Sequence, residues 1–291
     1  MIKDLNSIYL KIKSDTCPEM NKLCKSHKFS RDENADTLLH YAVMDGNINV
    51  VKRLTRCGSC PFILNNQCMT ALSIAACYNN LSILKFLVDK SINDITDYDK
   101  SEILANAVVK GNIKIVNYLL KKGFNSNALY RGDPIIYWAI QSAKVEIVKL
   151  LYDFGADLNL TNEENMTSLY AAAACDLVDI MQFIIERATI IDKPSNNGNT
   201  PFIIACCYGN IKAAQLLIAH GSDIEARNNC GETALLIAIK LKNVEIIKLL
   251  LSNNANRNVK DYKNRGVNEY CEHIRNKKTR ESISQILLED F

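Results

Sequence analysis

The chain is poor in the two residues that most often interrupt secondary structure, with 5 prolines and 11 glycines among 291 residues. It also lacks any run of about 18 apolar residues, the length that a membrane-spanning helix needs, so we expect no membrane segment. Neither sign of charge predominates, because the chain has 35 basic and 32 acidic residues and a net charge of +3. Nucleic acids and anionic lipid surfaces attract strongly basic faces, so this balance predicts neither as a partner.

A secretory signal is missing as well. Charges at Lys3, Asp4, Lys11 and Lys13 interrupt the apolar stretch that such a signal requires. In a chain without that signal, 11 scattered cysteines, an odd number, are typical of reduced thiols. We therefore expect a cytoplasmic protein, with the nucleus as the alternative.

The motifs of catalysis are also absent. The sequence contains no Gly-x-Ser-x-Gly elbow, phosphate-binding loop or dinucleotide fingerprint, and its 4 histidines show no nucleophile–base arrangement. Cys57 and Cys60, with Cys68 and Cys77 downstream, leave open a zinc or redox site. Structural thiols are the preferred interpretation, because no second Cys-x-x-Cys pair follows. The sequence therefore predicts no enzyme, no cofactor and no metal.

What the sequence does contain is a phrase, Thr-x-Leu-x-x-Ala, that recurs in register every 32 or 33 residues. Its seven copies, two of them lacking the threonine, start at residues 37, 70, 102, 134, 167, 200 and 233. A second phrase, Gly-Asn-Ile-x-x-Val-x-x-Leu, begins at 46 and 111, with degenerate copies at 79, 143, 176, 209 and 242. Self-similarity at this period is the sequence signature of a repeat protein.

Each repeat predicts a pair of short helices. The threonine can cap the first helix through its hydroxyl, and the leucine and alanine of the phrase share one helical face. The apolar residues of the second phrase also fall on one face. Helices of about eight to ten residues are unstable alone in water, so neighbouring pairs must stack and bury these faces together in a one-dimensional array.

Together the phrases resemble the ankyrin-repeat family, whose unit is two helices and a β-turn finger. The resemblance implies an all-α solenoid with seven repeats in residues 32–260. Residues 1–31 are expected to form N-terminal capping helices, and residues 261–291 a degenerate eighth repeat with the C-terminal cap. The predicted repeats are 32–64, 65–96, 97–128, 129–161, 162–194, 195–227 and 228–260.

In this family the partner usually lies in the groove between the finger tips and the first, inner helices, so the resemblance implies a partner site there. Tyr98, Tyr130 and Arg131 are expected on consecutive fingers, where tyrosine and arginine often carry binding energy. The alternative is that these tyrosines are ordinary surface residues. The predicted partner-binding residues are Tyr78, Tyr98, Asp99, Tyr130, Arg131, Glu163, Glu164, Asn196 and Tyr208.

The abundance of Asn, Ile and Lys and the Gly-Asn-Ile phrase also resemble poxvirus ankyrin-repeat proteins of the host-range type. We expect a monomeric, non-enzymatic scaffold that binds a host signalling or antiviral protein. The Leu-Pro opening of the F-box-like segment found in many of these proteins is absent after residue 260, although 285–289 is faintly similar to it. A substrate adaptor for a cullin-type ubiquitin ligase, acting through the C-terminal helices, is one alternative. A cellular protein or a bacterial effector is the other.

Overall fold

The computed structural model describes residues 5–14, 20–187 and 190–288. Parts of both predicted caps, at 1–4, 15–19 and 289–291, lie outside these residues. The chain divides into two compact units, residues 1–130 and 131–291. Within the described ranges, no helix combines the length and apolar character that crossing a bilayer demands.

Unit 1, residues 1–130, is a row of helix pairs in which each pair packs on the next. The predicted repeats serve below to number the pairs. Its elements are α1 (Leu5–Lys13), α2 (Met20–Ser26), α3 (Leu38–Met44), α4 (Ile48–Arg56), α5 (Ala71–Cys77), α6 (Leu81–Ser91), α7 (Asp97–Val109), α8 (Ile113–Lys121) and strand β1 (Leu129–Tyr130).

Unit 2, residues 131–291, has the same internal pattern of inner and outer helices. Inner helices contact inner helices of the neighbouring repeats, and outer helices contact outer ones. Its elements are strand β2 (Asp133–Pro134), α9 (Ile135–Gln141), α10 (Val145–Asp153), α11 (Ser168–Ala174), α12 (Val178–Ile185), α13 (Pro201–Tyr208), α14 (Ile211–Ala219), α15 (Ala234–Leu241), α16 (Val244–Ser252), α17 (Val267–Glu272) and α18 (Lys277–Leu288).

The phrase residues form the core of both units. The alanine of every copy is 0% exposed, and the residue in the leucine position is at most 2% exposed in all seven. Such small, buried side chains allow neighbouring inner helices to approach closely. The seven alanines are Ala42, Ala75, Ala107, Ala139, Ala172, Ala205 and Ala238. The predicted stacking of apolar faces is therefore confirmed.

The threonine of the phrase caps the inner helix in four copies. The Thr70 hydroxyl accepts a hydrogen bond from the Ser73 backbone N–H at 3.1 Å, and Thr167 accepts one from Tyr170 at 3.1 Å. Thr37 and Thr200 make the same contact. These bonds satisfy one of the donors that every helix leaves free at its first turn.

The asparagine of the second phrase links one repeat to the next. Asn112 Nδ2 donates to the Ala76 carbonyl at 2.6 Å, and Asn80 Nδ2 donates to the Val43 carbonyl at 2.7 Å. Asn210 Nδ2 donates to two carbonyls of α11, Ala173 and Ala174, both at 2.9 Å. The last carbonyls of a helix have no partner within it, so these three amides each join one inner helix to the following repeat.

Fingers are joined by backbone hydrogen bonds. Within unit 2, the Asn196 N–H donates to the Glu164 carbonyl at 2.9 Å, and the Asn229 N–H donates to the Asn197 carbonyl at 3.0 Å. The approach leaves no room for a side chain at Gly198 or Gly231, where an added Cβ would lie 2.6 Å from the Asn229 backbone nitrogen and 2.7 Å from the Tyr262 backbone nitrogen, respectively.

Tyr98 and Asp99 were expected on the finger of repeat 3, and this expectation was wrong because a helix occupies that place. Helix α7 begins at Asp97 and is 13 residues long, so Tyr98 and Asp99 lie in its first turn. Thr96 and Asp99 form a capping box, in which Thr96 Oγ1 accepts from the Asp99 N–H and Asp99 Oδ2 accepts from the Thr96 N–H, both at 3.1 Å. A capping box starts a helix, and it extends the inner helix over the residues that elsewhere form a turn.

Candidate functional site

Unit 2 contains a groove between the fingers and the inner helices α9, α11 and α13, with a volume of about 450 Å³. Arg131, Asp133, Glu163 and Glu164 line its finger side. Gln141, Met166 and three tyrosines, Tyr137, Tyr170 and Tyr208, line its helical side. We call this feature the tyrosine groove.

The three tyrosines of the groove differ in their exposure to solvent. Tyr137 and Tyr170 are buried, whereas Tyr208, at the end of α13, is 67% exposed. The Tyr137 hydroxyl donates to Met166 Sδ at 3.6 Å. Burial raises the pKa of both Tyr137 and Tyr170, so at neutral pH their hydroxyls stay protonated and able to donate. Such rings offer a large apolar area together with a hydrogen-bonding tip.

Carboxylates predominate on the finger side of the tyrosine groove. Asp133 Oδ1 accepts a hydrogen bond from Asn162 Nδ2 at 2.9 Å, an amide rather than a cation. Glu163 and Glu164 are both exposed at the tip of the next finger. Three carboxylates therefore face one guanidinium, that of Arg131, and this part of the groove carries excess negative charge.

The structure brings four of the predicted partner-binding residues together: Arg131, Glu163, Glu164 and Tyr208 all line the tyrosine groove. Asn196 does not line it. Its amide donates to the Glu163 carbonyl at 3.0 Å, so the side chain joins two fingers.

The remaining four predicted residues belong to unit 1. Tyr78 lies exposed at the C-terminal end of α5, and Tyr98 lies exposed in the first turn of α7. Asp99 is occupied in capping its own helix. Tyr130 is half-buried in β1. The tyrosines expected on consecutive fingers are thus placed on different kinds of element.

Two groove residues were missed from the sequence. Tyr137 and Tyr170 stand three residues after the start of the phrase, a position that is buried in most repeats and was therefore not counted as exposed. Serine and alanine occupy that position at Ser73 and Ala105. A bulky side chain with a polar tip, in a position that holds a small residue in two other repeats, was the pattern that could have revealed them.

A second pocket lies near the C-terminal end of unit 2, with a volume of about 280 Å³. Four of the six residues that line it are basic or can become so. They are Lys240, Lys242, Arg265 and His273, together with Tyr270 and Ile274. We call it the basic pocket.

Two buried carboxylates hold the basic pocket in place. Lys240 Nζ donates to Glu232 Oε1 at 2.7 Å, and Arg265 contacts Asp261 Oδ2 through Nε at 2.8 Å and Nη2 at 2.6 Å. The Tyr270 hydroxyl lies 2.9 Å from Glu232 Oε1 and 3.1 Å from Asp261 Oδ2, and it can donate to either. Although burial raises the pKa of Asp261, hydrogen bonds from Arg265 hold it down at about 2.

The cysteine-rich segment forms no metal centre in the part of the chain that the structure describes, where no group of three or more His, Cys, Asp or Glu side chains could hold an ion. Cys57 lies at the end of α4, where its thiol faces the Asn21 carbonyl. Burial raises the pKa of Cys24 to about 11, with a further contribution from neighbouring Cys57. A thiol with so high a pKa is protonated and unreactive at neutral pH.

Comparisons with known proteins agree with this architecture. The family model for ankyrin repeats (3 copies) matches residues 13–99, 39–130, 104–194 and 169–261. The crystal structure of EF0377, an ankyrin repeat protein, superposes with a TM-score of 0.58 at 29% sequence identity, covering 65% of this chain and 97% of that one. No curated protein matches the sequence.

Proposed function

Because the chain belongs to the ankyrin-repeat family, we propose that it is a non-enzymatic interaction scaffold that binds a protein partner in the tyrosine groove. The observation that carries this proposal is the exposed ring of Tyr208 beside two buried, neutral tyrosines. Interface hot spots are enriched in tyrosine and arginine that can become desolvated on binding. Arg131 supplies the second of these residue types at the opposite wall.

The test compares two alanine variants of the full chain. Tyr208→Ala removes the exposed ring, and Phe154→Ala, at the end of the outer helix α10, removes a partly exposed ring away from the groove. Partners are captured with the wild-type chain and identified by mass spectrometry, and the affinity of each purified partner is measured by calorimetry. We expect Tyr208→Ala to weaken binding by about tenfold or more, the loss of one hot-spot contact, and Phe154→Ala to bind like the wild type. Equal affinities for both variants would refute the placement of the site.

A narrower proposal concerns the identity of the partner. The Gly-Asn-Ile phrase and the wealth of Asn, Ile and Lys support a host-range role like that of poxvirus ankyrin-repeat proteins, exercised in the host cytoplasm. The partner would then be a host signalling or antiviral protein. Capture from transfected host cells should recover such a protein with the wild type and lose it with Tyr208→Ala. A set of partners unchanged by that substitution would contradict the proposal, and a cellular or bacterial-effector role would replace it.

One observation supports the adaptor alternative. Leu288, at the end of α18, is 83% exposed, whereas Ile283 and Ile286 on the same helix are buried. An exposed leucine at a helix end offers a contact for another helix, such as that of a cullin linker. Leu288→Asp leaves the buried isoleucines in place and should abolish capture of a cullin complex. If the variant captures as much cullin as the wild type, or if neither captures any, the adaptor role is wrong.

A further inference from the structure

The tyrosine groove and the basic pocket lie on one face of unit 2. Their lining residues occupy the same positions in the repeats, counted from the first residue of the phrase or, in the degenerate repeat 8, from Gly266, which follows Thr233 by 33 residues. Asp133 and Arg265 stand one residue before it, and Gln141, Lys240 and His273 stand seven residues after it. Because equivalent positions of stacked repeats form a row, the two features are successive parts of one surface from repeat 4 to repeat 8.

Charge is segregated along this surface. At the repeat 4–5 end, the exposed carboxylates of Glu163 and Glu164 are joined by Asp133, whose hydrogen-bond partner is an amide. At the repeat 7–8 end, cations lie outside and their counter-ions lie beneath them. The Lys240 side chain is 58% exposed against 6% for Glu232. A bound molecule would therefore meet carboxylates at one end and ammonium and guanidinium groups at the other.

Lys242 adds to the positive end. It is exposed, directly after α15, and makes no ion pair among the residues that the structure describes. His273 is also exposed, and its Nδ1 lies 2.6 Å from the Glu269 carbonyl oxygen.

Between the carboxylates and the cations, apolar side chains are exposed at the ends of the inner helices α13 and α15, whereas the fingers there expose polar residues such as Asn197 and Asn229. Tyr208 and Leu241 are 67% and 51% exposed, and both stand eight residues after the start of their phrase. They therefore follow one another in the row, one repeat apart. Exposed large apolar side chains flanked by opposite charges define a surface with an order: acidic, apolar, basic.

The length of this surface sets the size of what fits it. Packed helices lie about 8–10 Å apart, so the three steps from repeats 4–5 to repeats 7–8 span roughly 27 Å. An extended chain advances about 3.3 Å per residue, which corresponds to about eight or nine residues. We propose that this surface binds an extended segment of the protein partner whose charge is polarised, with basic side chains at the Glu163–Glu164 end, apolar ones in the middle and acidic ones at the Lys240–Lys242 end. The proposal rests on the function proposed above.

Two synthetic peptides of about nine residues provide the probe. The block peptide has lysines at one end, tyrosine and leucine in the middle and glutamates at the other end. The alternating peptide has the same composition but alternates lysine and glutamate. Each is labelled, and its affinity for the full chain is measured by fluorescence anisotropy at two salt concentrations, with the block peptide made in both sequence orders. We expect one order of the block peptide to bind about tenfold tighter than the alternating peptide, and to weaken with salt.

Charge reversals then locate the two ends. The acid-end variant is Glu163→Lys with Glu164→Lys, and the basic-end variant is Lys242→Glu with His273→Glu. Each variant should bind the favoured block peptide with about tenfold lower affinity, because like charges then lie opposite each other. The combined variant reverses the polarity of the surface, so it should prefer the opposite sequence order. Glu146→Lys with Lys248→Glu, on the outer helices α10 and α16, is the matched control and should change nothing.

The outcomes separate this inference from the proposed function. If the wild type binds block and alternating peptides equally but Tyr208→Ala weakens both, the groove is a binding site and the charge order is wrong. If the combined variant keeps the wild-type preference, or if no peptide binds, the inference is overturned, while capture of the natural partner still decides the proposed function. A single-stranded oligonucleotide that competes with the block peptide at the basic end alone would also overturn it.

Discussion

Replacing Asn210 with alanine tests how the repeats are joined. Asn210 precedes α14 but its side chain makes no capping hydrogen bond in that helix. Its amide instead donates to the Ala173 and Ala174 carbonyls of the preceding repeat, at 2.9 Å each. The substitution should therefore remove contacts between repeats 5 and 6 without weakening a helix end. Asn197, an exposed finger residue, offers the same substitution without these two bonds.

The magnitude follows from the two lost hydrogen bonds. Each contributes about 0.5–1.5 kcal/mol, and half-buried carbonyls left without a donor add to the cost, so Asn210→Ala should lower the free energy of unfolding by roughly 1–3 kcal/mol. Asn210→Asp keeps the shape but replaces the donor with a carboxylate that repels the carbonyls, and it should cost more. Asn197→Ala should stay within about 0.5 kcal/mol of the wild type, as surface substitutions usually do.

Urea unfolding followed by circular dichroism measures the loss, and hydrogen exchange locates it. Because repeats interact mainly with their nearest neighbours, exchange in Asn210→Ala should rise first in α11 and α13. The reasoning is refuted if Asn210→Ala and Asn197→Ala unfold at the same urea concentration. It is also refuted if Asn210→Asp is as stable as the wild type.

Three further changes have defined outcomes. Gly231→Ala should lower the melting temperature more than Gly155→Ala, because both backbones have positive φ but only at Gly231 does a Cβ meet the next finger; equal losses would mean that the contact relaxes freely. Since the folded-state pKa of Asp261, about 2, lies below its ordinary 3.8, its contribution to stability is present above about pH 4 and lost as the pH falls towards 2. Asp261→Asn should flatten the unfolding curve against pH in that window, and an unchanged slope would contradict the assignment. Tyr98→Ala with Tyr130→Ala should leave the melting temperature nearly unchanged while partner affinity falls about tenfold if these rings bind; calorimetry showing equal affinity would make them ordinary surface residues.

Local sequence predicted those features whose causes are local. The seven phrase alanines are buried because their spacing puts them on one helical face, and the spacing is visible in the sequence. Four threonines cap the helices as expected, because a cap needs only the three residues that follow it. The error at Tyr98 and Asp99 arose where the register of the repeat was trusted over the local Thr96–Asp99 capping box, which starts a helix whatever the register suggests.

The candidate site could be predicted only in part, because register says which residues are exposed but not which ones meet. Arg131, Glu163, Glu164 and Tyr208 were identified from their positions, and they line one groove. Tyr137 and Tyr170 escaped notice because their position is usually buried. The partner-binding role of these residues stays a prediction.

The sequence by itself determined the family, the short helix pairs and the faces that they bury, since each depends on residues within one repeat of about 33 residues. Only the tertiary structure decided which amides join repeats, where a helix replaces a finger, and how charge is ordered along unit 2. The physical reason is distance along the chain: Glu163 in repeat 5 and Lys242 in repeat 7 share a surface because repeat 6 stacks between their repeats, and the contacts that make that surface join residues far apart in sequence.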